Sequence, residues 1–294
     1  MNNQKVYFPP SELVLNDKNE VYHLGLNSSE IADKIILVGD QGRVGEVALF
    51  FDSVDVNKQH REFHTVTGTY KGKRVTVIST GIGTDNIDIV INELDALVNI
   101  DLESRTEKKE KKSLELIRIG TCGILNASIP VHSYILSQYA LGLDNIAQFY
   151  QLDFDSSEVE LLNELTSKLS FPKYIYPYLT KSSDRIFSKF ADNESIHNGI
   201  TITSSGFYGP QGRTLRLPLQ SESLNNEMEK FISSKGIKIA NYEMESSALF
   251  VLGKGLGHHC GTICLGIANR PLNQFSKGYK DEMKGLIQFV LERI

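Results

Sequence analysis

Lys34-Ile-Ile-Leu-Val38-Gly39-Asp40-Gln41-Gly42-Arg43 is the stretch whose reading decides the fold. Its first half is a short apolar run bounded by a turn, which reads as a buried strand; the glycine-flanked half is a turn, and a helix is expected from about Arg43. The same pattern repeats along the chain. Arg74–Ser79 reads as a strand ending in the turn Gly81-Ile82-Gly83. Beyond it, Ile87, Val90, Ile91, Leu94, Leu97 and Val98 fall on one helical face, with Asp85 near its N-terminus. Further strands are expected at Leu116–Ile119, Tyr134–Ser137, Gly199–Ser204, Gly236–Ala240 and Ile263–Ala268, and a terminal amphipathic helix at Lys280–Ile294. Strands feeding helices through glycine turns predict an α/β fold around a central sheet. With no repeat and no Pro- or Gly-rich linker, residues 1–294 are expected to form a single domain. Glu107-Lys-Lys-Glu-Lys-Lys112 reads as a solvated surface loop.

Composition narrows the function classes. The 294 residues are 40% hydrophobic and 23% charged, ordinary for a soluble globular protein. A net charge of −5 supplies no basic field for a phosphate backbone, so nucleic acid is not an expected partner. Cys122, Cys260 and Cys264 fit neither a disulfide framework nor a CxxC metal pattern and read as buried thiols. Met1–Leu13 lacks the basic-then-apolar form of a leader, and no run is long enough for a membrane span. The expectation is a soluble, cytoplasmic chain without a membrane partner.

Chemistry is expected where strands end and turns begin. Gly39 lets an anion approach backbone N–H groups, and Arg43 can add a bidentate contact, although an ordinary turn with a surface arginine fits equally. Arg118 lies inside an apolar strand, where a guanidinium is costly unless an anion or a structural carboxylate compensates it; Thr121 follows at the strand end. Gly81-Ile82-Gly83 lacks the third glycine of a dinucleotide fingerprint, which lowers the odds for ATP or NAD. Phe207-Tyr-Gly-Pro-Gln211-Gly-Arg213 places an aromatic ring, an amide and a guanidinium on one loop, a set that matches the edge of a pyrimidine, although a plain turn with Tyr-Gly-Pro punctuation fits as well. Glu243-Met244-Glu245 crosses from a strand into a helix; a carboxylate there suits sugar hydroxyls or simply the helix N-terminus.

Together with His60-Arg61-Glu62-Phe63, these runs resemble, in order and spacing, the nucleoside phosphorylase family and its uridine phosphorylase branch, from Val21 to Arg270. The resemblance implies a single-domain α/β/α sandwich around a twisted mixed sheet. It implies a phosphate site at Gly39, Arg43, Arg118 and Thr121, with Arg61 reaching in from a neighbouring subunit. Ribose contacts are implied at Met244 and Glu245, at the phosphate-site Thr121, and at His23 across the subunit boundary. Phe207, Gln211 and Arg213 match the uracil site, with Arg270 as its support. Dimers with shared sites, assembled into a hexamer, are the family's usual form. Some members hold a monovalent cation near positions like Glu62, Ile82 and Asn86, though Asn86 stands where a serine is expected. Other departures are the Asp101–Ser113 insertion (expected to be peripheral), Cys122 in place of a threonine, and Gly206 before Phe207.

The implied reaction is that of a pentosyltransferase: phosphorolysis of uridine to uracil and ribose 1-phosphate, with inorganic phosphate as co-substrate and no cofactor. Arg118, Gln211, Arg213 and Glu245 are the expected catalytic groups. A purine nucleoside phosphorylase is the nearest alternative, but such enzymes place an aspartate near Ala268-Asn269-Arg270, and none stands there. The set of arginines argues against a water-using nucleosidase. A non-catalytic nucleoside-binding protein is the remaining alternative.

Overall fold

The structure is a computed structural model describing residues 6–294; residues 1–5 of the Met1–Leu13 stretch lie outside the described residues. β1 (Lys34–Val38) leads into α1 (Gln41–Ala48). A meander of β2 (Ser53–His60), β3 (Phe63–Tyr70) and β4 (Lys73–Ser79) precedes α2 (Thr84–Asn99). The short hairpin β5 (Ile100–Asp101) and β6 (Thr106–Glu107) comes next, followed by β7 (Glu115–Ile124), β8 (Tyr134–Gly142), α3 (Ser156–Lys168) and β9 (Tyr178–Lys181). The chain continues through α4 (Asp184–Ala191), β10 (Ile196–Thr203), α5 (Leu224–Lys230), β11 (Ile239–Glu243) and α6 (Ser246–Gly255). It ends with β12 (His259–Asn269), β13 (Gln274–Phe275) and α7 (Lys280–Leu291).

Eleven strands form one mixed sheet, ordered β13-β12-β8-β10-β11-β7-β1-β4-β3-β2 with β9 on β8. β12 also pairs with β7, so part of the sheet closes on itself. β1, β4, β7 and β12 run parallel, which gathers their C-terminal ends at one edge. β11 runs back along the end of β7, with Tyr242 opposite Gly123, and so carries Glu243 toward the same place.

The period-2 geometry of a strand explains the layers. Ile35 and Leu37 of β1 pack into one core with residues of α2 and α6, while Ile36 and Val38 pack into another with residues of α1, α4 and α7. A strand covered on both faces is apolar throughout, which is why Lys34–Val38 reads as a continuous run.

Several boundaries differ from the sequence reading. α1 begins at Gln41 rather than near Arg43, because the Asp40 side chain caps it by accepting from Gly42 N at 2.9 Å. β7 continues to Ile124 instead of ending at Ile119, since β12 and β11 flank its second half. Tyr134–Ser137 is only the start of β8. The strand expected at Gly236–Ala240 lies at Ile239–Glu243, Gly236 being a turn residue with φ +79°. Residues 101–113 sit at the periphery, where the Arg105 guanidinium donates to the Leu13 carbonyl and ties down the preceding segment. No helix among the described residues is long and apolar enough to cross a membrane.

Candidate active site

The strand ends surround a cleft of about 680 Å³. Gly39 lines it from the β1–α1 turn, Arg43 from the first turn of α1, Arg118 and Thr121 from β7, Phe207, Gln211 and Arg213 from the loop after β10, and Met244 and Glu245 from the β11–α6 junction. His23, Arg61 and Arg270 are not among its lining residues.

Arg118 is buried in β7, and the next-but-one residue makes room for it: a Cβ at Gly120 would sit 2.1 Å from Arg118 Nη1. Its guanidinium is paired with two carboxylates, Glu243 at 3.3 Å and Glu245 in close contact. Those charges hold the Arg118 pKa above its ordinary value against the opposing effect of burial. Of the two compensations the sequence left open, a structural carboxylate is therefore present. Arg118 Nε is buried without a hydrogen-bond partner, a donor left over from the pairing. Arg43 sits close by: burial first, then the positive charge of Arg118, lowers its pKa.

The two glutamates do different work. Glu243 accepts from Thr203 Oγ1 at 2.5 Å and from the backbone N–H groups of Glu245 (3.0 Å) and Ser246 (2.9 Å), so it closes the N-terminus of α6. Glu245 accepts from Gly83 N at 2.9 Å, which links α6 to the start of α2, and gives its other oxygen to Arg118. Burial raises the Glu245 pKa; Arg118 opposes that rise and Glu243 adds to it.

On the loop after β10, Arg213 lies over the Phe207 ring at 3.8 Å and donates to the Phe207 carbonyl at 2.5 Å and to Gln211 Oε1 at 2.6 Å. A guanidinium only donates, so the Gln211 amide must turn its oxygen to Arg213, which leaves Nε2 to meet a ligand carbonyl. Burial and the nearby Arg270 bring the Arg213 pKa down to about 10. Arg270 stands behind this loop and donates to the carbonyls of Gln211 and Gly212.

His23 and Arg61 meet elsewhere on the chain. Arg61 lies over the Tyr22 ring at 5.4 Å, Tyr22 packs edge-on against His23, and His23 Nδ1 is 2.7 Å from Glu93. Glu62, Ile82 and Asn86 do reach the cleft rim. Asn86 presents its Nδ2 to the Ile82 carbonyl at 3.5 Å, so this corner alone does not offer a closed set of oxygen ligands for a cation. Tyr242, Cys122, Ile267, Ala268 and Phe275 also line the cleft without having been singled out for a site role from the sequence. Tyr242 precedes Glu243 on the same strand, a signal within reach; Phe275 lies on a two-residue strand that carries none.

The pattern of the phosphorylase superfamily matches residues 33–285. A uridine phosphorylase of Thermococcus kodakarensis is 26% identical over 280 residues, covering 94% of this chain and 87% of that protein. A DeoD-type purine nucleoside phosphorylase of Oceanobacillus iheyensis is 40% identical over 236 residues, covering 80% and 81%. Among solved structures, a Trypanosoma brucei nucleoside phosphorylase described as showing uridine phosphorylase activity superposes with a TM-score of 0.88 at 30% identity, covering 96% of this chain and 99% of that one. The chain belongs to the phosphorylase superfamily, as a member of its nucleoside phosphorylase family.

Proposed function

We propose that the chain is a uridine phosphorylase. The observation that carries this reading is the Gln211–Arg213 pair, on a loop that contributes no carboxylate to the cleft. The acidic lining residues are Asp40, Glu62, Glu243 and Glu245, all contributed by other elements. Asn269 is turned inward, donating to the Ile129 carbonyl at 2.8 Å and to the Asn126 carbonyl at 3.2 Å, so it offers nothing to a purine ring. Uracil presents carbonyl, N–H and carbonyl along one edge. Gln211 Nε2 donates to one carbonyl, Oε1 accepts the N–H with its second lone pair, and Arg213 donates to the other oxygen.

In the reaction, a phosphate oxygen forms a bond to C1′ of the ribose as the C1′–N1 bond breaks, and the bonding pair leaves on the uracil ring. Negative charge spreads to the uracil oxygens, where Gln211 and Arg213 are already oriented, and fixed donors of this kind stabilise it without reorganisation. Gly39 N–H, Arg43, Thr121 and Arg118 hold the phosphate, with Arg61 of a second copy completing the site. Glu245 accepts from the ribose hydroxyls and Met244 packs against the sugar. No cofactor enters this scheme. It carries with it a cytoplasmic homo-oligomer, dimers with shared sites assembled into a hexamer.

The 40% identity to a purine nucleoside phosphorylase makes purine nucleosides the competing substrates. A panel of uridine, deoxyuridine, thymidine, cytidine, inosine and adenosine, assayed with and without phosphate, separates the readings. Uridine should be cleaved fastest, only with phosphate, and yield ribose 1-phosphate. Faster cleavage of inosine at matched concentration would transfer the assignment to the purine enzymes, and equal rates without phosphate would make the chain a hydrolase.

A further inference from the structure

We propose that Asn225, on α5 and outside the cleft lining, is the positioning residue that fixes the Gln211 amide for the base. Its Nδ2 donates to the Gln211 carbonyl at 3.2 Å and approaches the Gly212 carbonyl at 3.5 Å, and its Oδ1 accepts from Tyr242 Oη at 2.9 Å. The orientation is forced. Backbone carbonyls only accept, so the amide nitrogen must face them and the amide oxygen must face the tyrosine, which then donates. Met228 Sδ also stands 2.9 Å from Tyr242 Oη, but a thioether is the weaker acceptor, so Asn225 Oδ1 takes the one hydroxyl proton.

Arg270 holds the same two carbonyls. The peptide units of Gln211 and Gly212 are thus clamped by two donor side chains from different elements, at a point where Gly212 has φ +68°. A Cβ at Gly212 would lie 2.0 Å from Asn225 Nδ2, so the clamp and the glycine require each other.

A second cavity of about 230 Å³ shows why hydrogen bonds matter here. It is lined by Gly209, Pro210 and Gly212 of the loop together with Leu219, Asn225 and Tyr242. The loop therefore has open space behind it in place of close-packed side chains. Interiors resist displacement because they are densely packed, and this loop lacks that support on one side. What keeps Gln211 facing the cleft is the Asn225 and Arg270 clamp, with Arg213 orienting the end of the side chain.

The inference rests on Gln211 reading the base, as proposed above. The experiment uses two variants. Asn225→Asp keeps the shape and the acceptor for Tyr242 but cannot donate to the carbonyls; Asn225→Ala removes both contacts. Nucleoside KM, kcat and phosphate KM are measured with the nucleoside the wild type cleaves fastest, and the uridine-to-cytidine kcat/KM ratio is measured alongside. Both variants should raise nucleoside KM up to about tenfold, the scale of one lost hydrogen bond. Phosphate KM should stay within twofold, and the uridine-to-cytidine ratio should fall. An Asn225→Asp protein with wild-type nucleoside KM would overturn the proposal, as would variants in which phosphate and nucleoside KM rise together. If the wild type prefers inosine, the uracil assignment fails on that result alone, while the nucleoside-to-phosphate KM comparison, run on inosine, still decides the role of Asn225.

Discussion

Replacing Arg118 with methionine tests the electrostatic centre of the cleft. Arg118, Glu243 and Glu245 are all buried, at 4%, 4% and 3% exposure, so no water shell can take over for a missing partner. The loss should fall unequally on the two carboxylates. Glu243 retains Thr203 Oγ1 and the backbone amides of Glu245 and Ser246. Glu245 retains backbone donors alone, with Gly83 N at 2.9 Å foremost. Breaking a buried pair by removing one partner costs ~3–5 kcal/mol, and most of that should reside in the abandoned Glu245 charge. Arg118 is also the side chain that pulls the Glu245 pKa down, against burial and Glu243. Without it, the folded-state pKa of Glu245 climbs further above its unfolded value. A raised folded-state pKa gives stability that is present below the unfolded pKa and is lost as pH rises through the folded one. The deficit of Arg118→Met relative to wild type should therefore be larger at pH 8 than at pH 5. Adding Glu245→Gln to the variant should recover most of the deficit at pH 8. Urea unfolding at fixed protein concentration reads all three proteins. A single variant within about 1 kcal/mol of wild type at pH 8 would refute the reasoning, on the scale at which a buried pair matters. So would a double variant no more stable than the single one.

Other outcomes follow from the same geometry. The Glu245 pKa is raised, so kcat/KM should fall as pH drops through a value above 4.5, the ordinary glutamate pKa; a pH–rate profile flat down to pH 4 would contradict this. Asp40→Ala removes the α1 cap and should lower stability by ~1 kcal/mol, while phosphate KM does not rise, because a negative charge beside Arg43 has been removed. Arg61→Ala and Arg118→Ala chains, each nearly inactive alone, should regain part of the activity when co-assembled. A fully active monomer in sedimentation would exclude shared sites.

The legible parts of the chain are those where local pattern and tertiary role agree. Lys34–Val38 could be read as a strand because both its faces are buried, and the α2 stripe could be read because one face is. β2 was not legible for the opposite reason: Ser53–His60 is largely exposed at the sheet edge, so burial imposes no alternation on it. The end of β7 was missed because it is fixed by pairing with β11 and β12, which are distant in sequence. The same distinction holds for the site. Gly39, Arg43, Arg118, Thr121, Gln211, Arg213 and Glu245 could be picked out as a glycine and polar residues at strand ends and in the turns and loops beyond them, and they line one cleft. The pairing of Arg118 with Glu243 and Glu245 joins β7 to residues more than a hundred positions away, and spacing alone carries no record of it.

That pairing sets a condition on how the cleft takes an anion. The lining carries the guanidinium groups of Arg43, Arg118 and Arg213 against the carboxylates of Asp40, Glu62, Glu243 and Glu245. Arg213 stands with Phe207 and Gln211 on the loop after β10. Arg118 is already engaged with two carboxylates, so within one chain Arg43, which has no ion-pair partner among the described residues, carries most of the positive charge open to an anion. A multiply charged phosphate is better compensated if Arg118 is drawn partly away from Glu245 or another cation arrives. Arg61 has the right chemistry for the second route. Its guanidinium has no carboxylate partner among the described residues and lies over Tyr22 on the outer surface. Its carbonyl accepts from Gln41 Nε2 at 2.9 Å, and Gln41 lines the cleft, so the backbone of Arg61 touches the rim of its own site while its side chain points elsewhere. The same arginine is thus placed either to swing into its own cleft or to serve the cleft of a second copy. Co-assembly of the Arg61 and Arg118 variants distinguishes these: a mixed dimer regains an intact site only if Arg61 acts on its neighbour.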